Sequence, residues 1–79
     1  MIKIYGTRTC SYCNRAKDLC SVNKIPYIEI NISENEEAKQ MLLENNYKTV
    51  PQIWNEEEYI GGYTELVRYV SEKGTASLV

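Results

Sequence analysis

The sequence predicts an α/β domain, a mixed four-stranded sheet flanked by three helices. Three observations carry that expectation. The apolar pattern switches between the period of a strand and that of a helix in the order strand, helix, strand, helix, strand, strand, helix. The first two strands flank a helix, a unit that requires parallel strands joined by a right-handed crossover. The last two strands are separated only by Asn55-Glu56-Glu57, too tight a link for anything but an antiparallel pair.

Each element has its own signal. Ile2 to Tyr5 is short and rich in Ile and Tyr, and Gly6 closes it, as expected of a strand. From Ser11 to Val22 the apolar positions Cys13, Ala16, Leu19 and Cys20 fall on one helical face, and Pro26 forbids continuation. Tyr27 to Ile32 places three isoleucines at alternate positions, a second strand. Ser33 with Glu36 reads as a capping box opening a helix from Asn35 to Glu44, with Ala38, Met41 and Leu42 inward and an acidic first turn. Gln52 to Trp54 and Glu58 to Ile60 form the hairpin, and Gly61-Gly62 breaks the chain. Thr64 is expected to cap a last helix with Leu66, Val67 and Val70 as its stripe; Gly74 marks its stop, and residues 75–79 form a frayed tail.

The whole sequence, 79 residues, is sized for one domain, 1–79. A hydrophobic fraction of 43% and a charged fraction of 25% are those of a globular domain, which sets aside disordered and fibrous classes. A net charge of −2 with both signs interspersed offers no basic stripe for nucleic acid. Apolar runs are too short for a membrane span or a signal peptide. Cysteine usage, Cys10, Cys13 and Cys20, is too sparse for a disulfide-stapled secreted domain and suits a reducing, cytoplasmic compartment. There a close pair such as Cys10-Ser11-Tyr12-Cys13 serves catalysis or a metal rather than structure.

Structural zinc wants four ligands, and this chain has no histidine and only three cysteines. A redox pair fits better. Element order and the position of Cys-x-x-Cys together indicate a thioredoxin-like arrangement. Cys10 falls at the start of a helix, where unsatisfied amides and the helix dipole favour a negative sulfur, and Arg8 adds a positive charge nearby. The thiolate is the nucleophile in thiol–disulfide exchange. Cys13, one helical turn on, is placed to resolve a mixed disulfide on Cys10. Cys20 lies about 15 Å along the helix from Cys10, too far for a bridge, and reads as a core residue. Tyr5, Tyr47, Tyr59 and Trp54 read as core or rim aromatics, and Lys48 and the acidic runs as solvated surface.

Over residues 2–73 the sequence resembles the glutaredoxin family. Cys10-Ser11-Tyr12-Cys13 is close to Cys-Pro-Tyr-Cys, Thr49-Val50-Pro51-Gln52-Ile53-Trp54 to Thr-Val-Pro-Gln-Ile-Phe, and Ile60-Gly61-Gly62-Tyr63-Thr64-Glu65-Leu66 to Ile-Gly-Gly-x-Asp-Asp-Leu. The resemblance implies a glutathione-dependent thiol–disulfide oxidoreductase and a cis peptide at Val50-Pro51 beside Cys10. It implies a glutathione groove made of Arg8, Tyr12, Thr49, Val50, Pro51, Gly62, Tyr63 and Thr64. In it the Val50 backbone would hold the cysteine portion and the Gly62-Tyr63-Thr64 turn the γ-glutamyl end. No tightly bound cofactor is implied; glutathione is the co-substrate. Disulfide-containing proteins are the implied partners, ribonucleotide reductase among them, and the chain is expected to act as a monomer.

Two departures open alternatives. The family's basic residue three before the first cysteine is Thr7 here, with Arg8 as its neighbour, and its acidic pair becomes Thr64-Glu65. Ser11 replaces the usual proline, as in relatives that hold a [2Fe-2S] cluster between two subunits through the first cysteine and glutathione, so Cys10 is the candidate ligand if such a dimer forms. A redoxin reduced directly by thioredoxin reductase is a further alternative, against which Gly61-Gly62 argues.

Overall fold

The computed structural model describes residues 1–78, with side chains over 1–72. Among them lie β1 (Ile2–Gly6), α1 (Ser11–Val22), β2 (Tyr27–Asn31), α2 (Glu36–Glu44), β3 (Gln52–Asn55), β4 (Glu58–Gly61) and α3 (Tyr63–Leu78). The strands form one sheet in the order β2-β1-β3-β4. β1 runs parallel to β2, and antiparallel pairs join β1 to β3 and β3 to β4. This is the thioredoxin-like mixed sheet with three helices that the element order predicts.

Alternation along β1 turns Ile2, Ile4 and Gly6 to one face, where each is buried. Ile2, Ile4 and Ile53 meet Ala16 and Cys20 of α1 and Leu66 and Val70 of α3 in a single cluster. Cys20 is thus a core residue, as its place on the helical stripe implies. The opposite alternation brings Tyr5 edge-on to Trp54, with ring centroids 5.2 Å apart. Tyr47, Trp54 and Tyr59 continue this into an aromatic group.

Helices α1 and α2 end in the same way. After α1, Lys24 turns left-handed, its amide bonds the Ser21 carbonyl and the Ile25 amide bonds that of Cys20. After α2, left-handed Asn46 bonds the Leu43 carbonyl and Tyr47 that of Leu42. These are Schellman closures, so α1 stops three residues before Pro26 has any effect.

Three starts and stops differ from expectation. α2 is capped by Asn35, whose Oδ1 accepts from the Ala38 amide, and not by Ser33. Ser33 is engaged in the preceding turn, where its amide bonds Asn31 Oδ1 at 2.9 Å. α3 starts at Tyr63, and Gly62 supplies the first accepting carbonyl, to Leu66, so Thr64 lies inside the first turn rather than at the cap. α3 also continues past Gly74 to Leu78. Glycine stops a helix only where it turns left-handed; inside one it costs about 1 kcal/mol and is tolerated. The side chains of the expected tail, 75–79, lie outside the described residues.

Candidate active site

Cys10 is the N-cap of α1. Its backbone is extended, at φ −83° and ψ 114°, and its sulfur accepts the Cys13 amide at 3.1 Å. The cap thus aims an orphan helical donor at the sulfur, the arrangement that stabilises negative charge at a helix start. Cys10 is half-buried, whereas Cys13 and Cys20 are buried.

Cys13 differs sharply from its neighbour. Burial, then the hydrogen bond of its thiol to the Cys10 sulfur, push Cys13 up to about 12 from an ordinary 9.0. The Thr7 backbone and the Lys17 charge act weakly the other way. The proton therefore rests on Cys13 at neutral pH. Room for this buried sulfur comes from Gly6, where a Cβ would stand 2.3 Å from Cys13 Sγ. Lys17, one turn beyond Cys13, bonds Glu29 of β2 at 2.8 Å at the protein surface, with Lys17 itself partly buried.

Across from Cys10 lies the loop that leaves α2. Val50-Pro51 is a cis peptide, as the resemblance implies. The Cys10 thiol reaches the Val50 carbonyl at 3.7 Å, joining segments 40 residues apart. Beside it opens a groove of about 220 Å³, lined by Tyr12, Thr49, Val50, Pro51, Gly62, Tyr63, Thr64 and Glu65. Seven of the eight expected groove residues meet there. Arg8 does not; its guanidinium sits 3.3 Å from Glu34, with both side chains exposed.

One wall of the groove is aromatic. Tyr12, 55% exposed, faces Tyr63 with centroids 5.7 Å apart, and the Arg15 guanidinium lies 5.3 Å above the Tyr12 ring. The far end is shaped by Gly61 and Gly62. Gly61 has φ +126°, open to glycine but strained for other residues, and a Cβ there would meet Glu65. The Glu65 carboxylate accepts the Gly62 amide at 2.7 Å, the returning half of a capping box.

Sequence reasoning missed three contributors. Glu65 lines the groove and fixes its Gly62 end; its position three residues after the cap was the available signal. Gln52, buried in β3, bonds the Thr49 carbonyl at 2.8 Å and the Thr49 hydroxyl oxygen at 3.2 Å. Tyr59 bonds Gln52 Oε1 at 2.5 Å. A polar residue directly before the apolar pair Ile53-Trp54 was the sign of the second, and nothing local marked the third.

A Cys-x-x-Cys at a helix start, facing a cis-proline loop on this sheet, defines a thiol–disulfide oxidoreductase of the thioredoxin-like fold. The glutaredoxin family model matches residues 2–60. Glutaredoxin 3 of Escherichia coli is 36% identical over 66 residues, covering 82% of this chain and 80% of that protein. Glutaredoxin 1 of the same organism is 35% identical over 77 residues, covering 87% and 91%. The solved structure of reduced Escherichia coli glutaredoxin superposes with a TM-score of 0.76 at 30% identity, covering 94% of this chain and 96% of that one. The chain belongs to the glutaredoxin family.

Proposed function

We propose that the chain is a glutathione-dependent reductase of protein disulfides and glutathione mixed disulfides, working through Cys10 and Cys13. The observation that carries this reading is the Val50 carbonyl, 3.7 Å from the Cys10 sulfur, at the edge of a peptide-sized groove. An extended peptide whose own sulfur is bonded to Cys10 can pair with the Val50 backbone as an added strand would. Tyr12 and Pro51 flank it, and Thr49 borders its path. Gly62 precedes α3 with its own amide held by Glu65, and the amides of Tyr63 and Thr64, the first of the helix, suit a terminal carboxylate. Arg8 holds Glu34 only through an exposed, weak pair and can exchange it for the second carboxylate of the tripeptide.

The steps follow from exchange chemistry. Cys10 thiolate attacks one sulfur of the substrate disulfide, forms a mixed disulfide and expels the other sulfur as thiolate. For a protein disulfide, Cys13 gives up its proton and attacks the Cys10 sulfur. That releases the reduced protein and leaves a Cys10–Cys13 disulfide, which two glutathiones return to dithiol as they become glutathione disulfide. For a glutathione mixed disulfide, a second glutathione attacks directly and Cys13 is dispensable. No resident cofactor takes part in this cycle.

The same reading extends to one domain over 1–79, acting as a monomer in the cytoplasm on disulfide proteins such as ribonucleotide reductase. Among the described residues no helix is long and apolar enough to cross a membrane. The test is NADPH oxidation with a small disulfide in two mixes. One contains glutathione and glutathione reductase, the other thioredoxin reductase alone. Turnover confined to the first is expected; turnover confined to the second would replace glutathione with thioredoxin reductase as the electron source.

A further inference from the structure

We infer that Tyr59 and Gln52, neither of which lines the groove, form a directional relay that aims the Thr49 hydroxyl proton into it. The inference rests on the glutathione reading above and adds a positioning function to it.

The direction follows from counting donors. Gln52 is 5% exposed, so both ends of its amide need partners. The Thr49 carbonyl can only accept, and it takes the Gln52 Nε2 proton at 2.8 Å. That fixes Oε1 as the other end, and Oε1 can only accept, so the Tyr59 hydroxyl at 2.5 Å must donate. Burial raises the Tyr59 phenol above its ordinary value, with Tyr47 and Glu65 adding to the effect, so this donor stays protonated at neutral pH.

Gln52 Nε2 also lies 3.2 Å from Thr49 Oγ1, which therefore accepts. An accepting hydroxyl still carries its own proton, and Thr49 lines the groove. The chain of donors thus runs from Tyr59 through Gln52 to Thr49 and ends on an acceptor of the bound molecule, a carbonyl or carboxylate of the tripeptide.

The Tyr59 ring is held independently of its hydroxyl. It stacks on Tyr47 at 5.0 Å and against Trp54 at 4.9 Å. Tyr59→Phe should therefore remove the donor and keep the packing.

The test is a double-mutant cycle read on KM for the mixed disulfide of glutathione and 2-mercaptoethanol. Tyr59→Phe should raise KM about three- to tenfold, the scale of one hydrogen bond, with kcat unchanged. Thr49→Val should raise it comparably, and Tyr59→Phe should add nothing in the Thr49→Val background. An unchanged KM in Tyr59→Phe, or effects that simply multiply, would overturn the relay. A second readout does not depend on glutathione. The Gln52 side-chain amide protons should exchange with solvent at least about tenfold faster in Tyr59→Phe, having lost the anchoring bond. Equal exchange overturns the relay. A wild type that shows no saturation by the mixed disulfide would instead sink the glutathione reading, and the amide exchange then decides the relay alone.

Discussion

The Cys13 amide donates to the Cys10 sulfur at 3.1 Å, while that same sulfur, after burial, helps to hold the Cys13 thiol above its ordinary value. The two residues thus act on each other, one through the main chain and the other through its side chain. Spacing explains both contacts. Three residues at a helix start place the Cys13 amide on the cap and its side chain just inside the core.

The exposure difference predicts selective alkylation. Cys13 is 1% exposed and Cys20 fully buried, whereas Cys10 is half-exposed at the cap. Iodoacetamide at neutral pH should label one cysteine quickly, and peptide mass spectrometry should find it at Cys10. Rapid labelling of Cys13 in the folded protein would contradict its burial.

The division of labour predicts two different mutants. Cys10→Ser should abolish all turnover. Cys13→Ser should lose reduction of protein disulfides, read with insulin, and keep much of its activity on glutathione mixed disulfides. Equal loss of both activities in Cys13→Ser would remove the resolving role.

Burial of Cys13 predicts a signature in stability against pH. The thiol is raised in the folded state, so above 9.0 the unfolded chain loses this proton before the folded one does. Its contribution is full below about 9, and is lost as pH climbs toward about 12. Serine does not titrate there. The stability advantage of wild type over Cys13→Ser, from urea unfolding, should shrink steadily across that window. An advantage that grew with pH would mean the thiol is not raised.

Gly6 is predicted to be irreplaceable for a steric reason. A Cβ at 2.3 Å from the Cys13 sulfur cannot be accommodated without moving the helix start. Gly6→Ala should cost about 1–3 kcal/mol by thermal or urea unfolding. It should also slow insulin reduction more than mixed-disulfide reduction, because the resolving sulfur is the atom displaced.

Lys17 is predicted to ease the resolving step. It lies one turn past Cys13, its charge favours loss of the Cys13 proton, and Glu29 holds it in place. Lys17→Met should slow insulin reduction about two- to fivefold, less than the tenfold of one full pK unit, and leave Cys10 alkylation unaltered. A slowed alkylation would mean that Lys17 acts on Cys10 instead.

Much of this molecule was legible along the chain because its signals are local. The bounds of α1, Ser11 to Val22, came from a period of three to four along the chain. The parallel pairing of β1 with β2 and the antiparallel pairing of β3 with β4 followed from link length, whereas the antiparallel pairing of β1 with β3 did not. Where two local signals competed, sequence could not choose. Ser33 and Asn35 both suit a cap, and the choice fell to Asn35 because Asn31 had already drawn Ser33 into a turn.

By itself the sequence determined the order of the secondary elements, the two pairings set by short or helical links, and the Cys10-Cys13 motif, since each depends on local residues and link length. Only the tertiary structure decided the rest. It set Val50 against Cys10 across 40 residues, drew Arg8 to Glu34 and out of the groove, and buried the Cys13 sulfur over Gly6. It also linked Tyr59 to Thr49 through Gln52. These contacts join segments that only the packed sheet brings together, and the burial that decides their protonation and direction exists only once the core has closed.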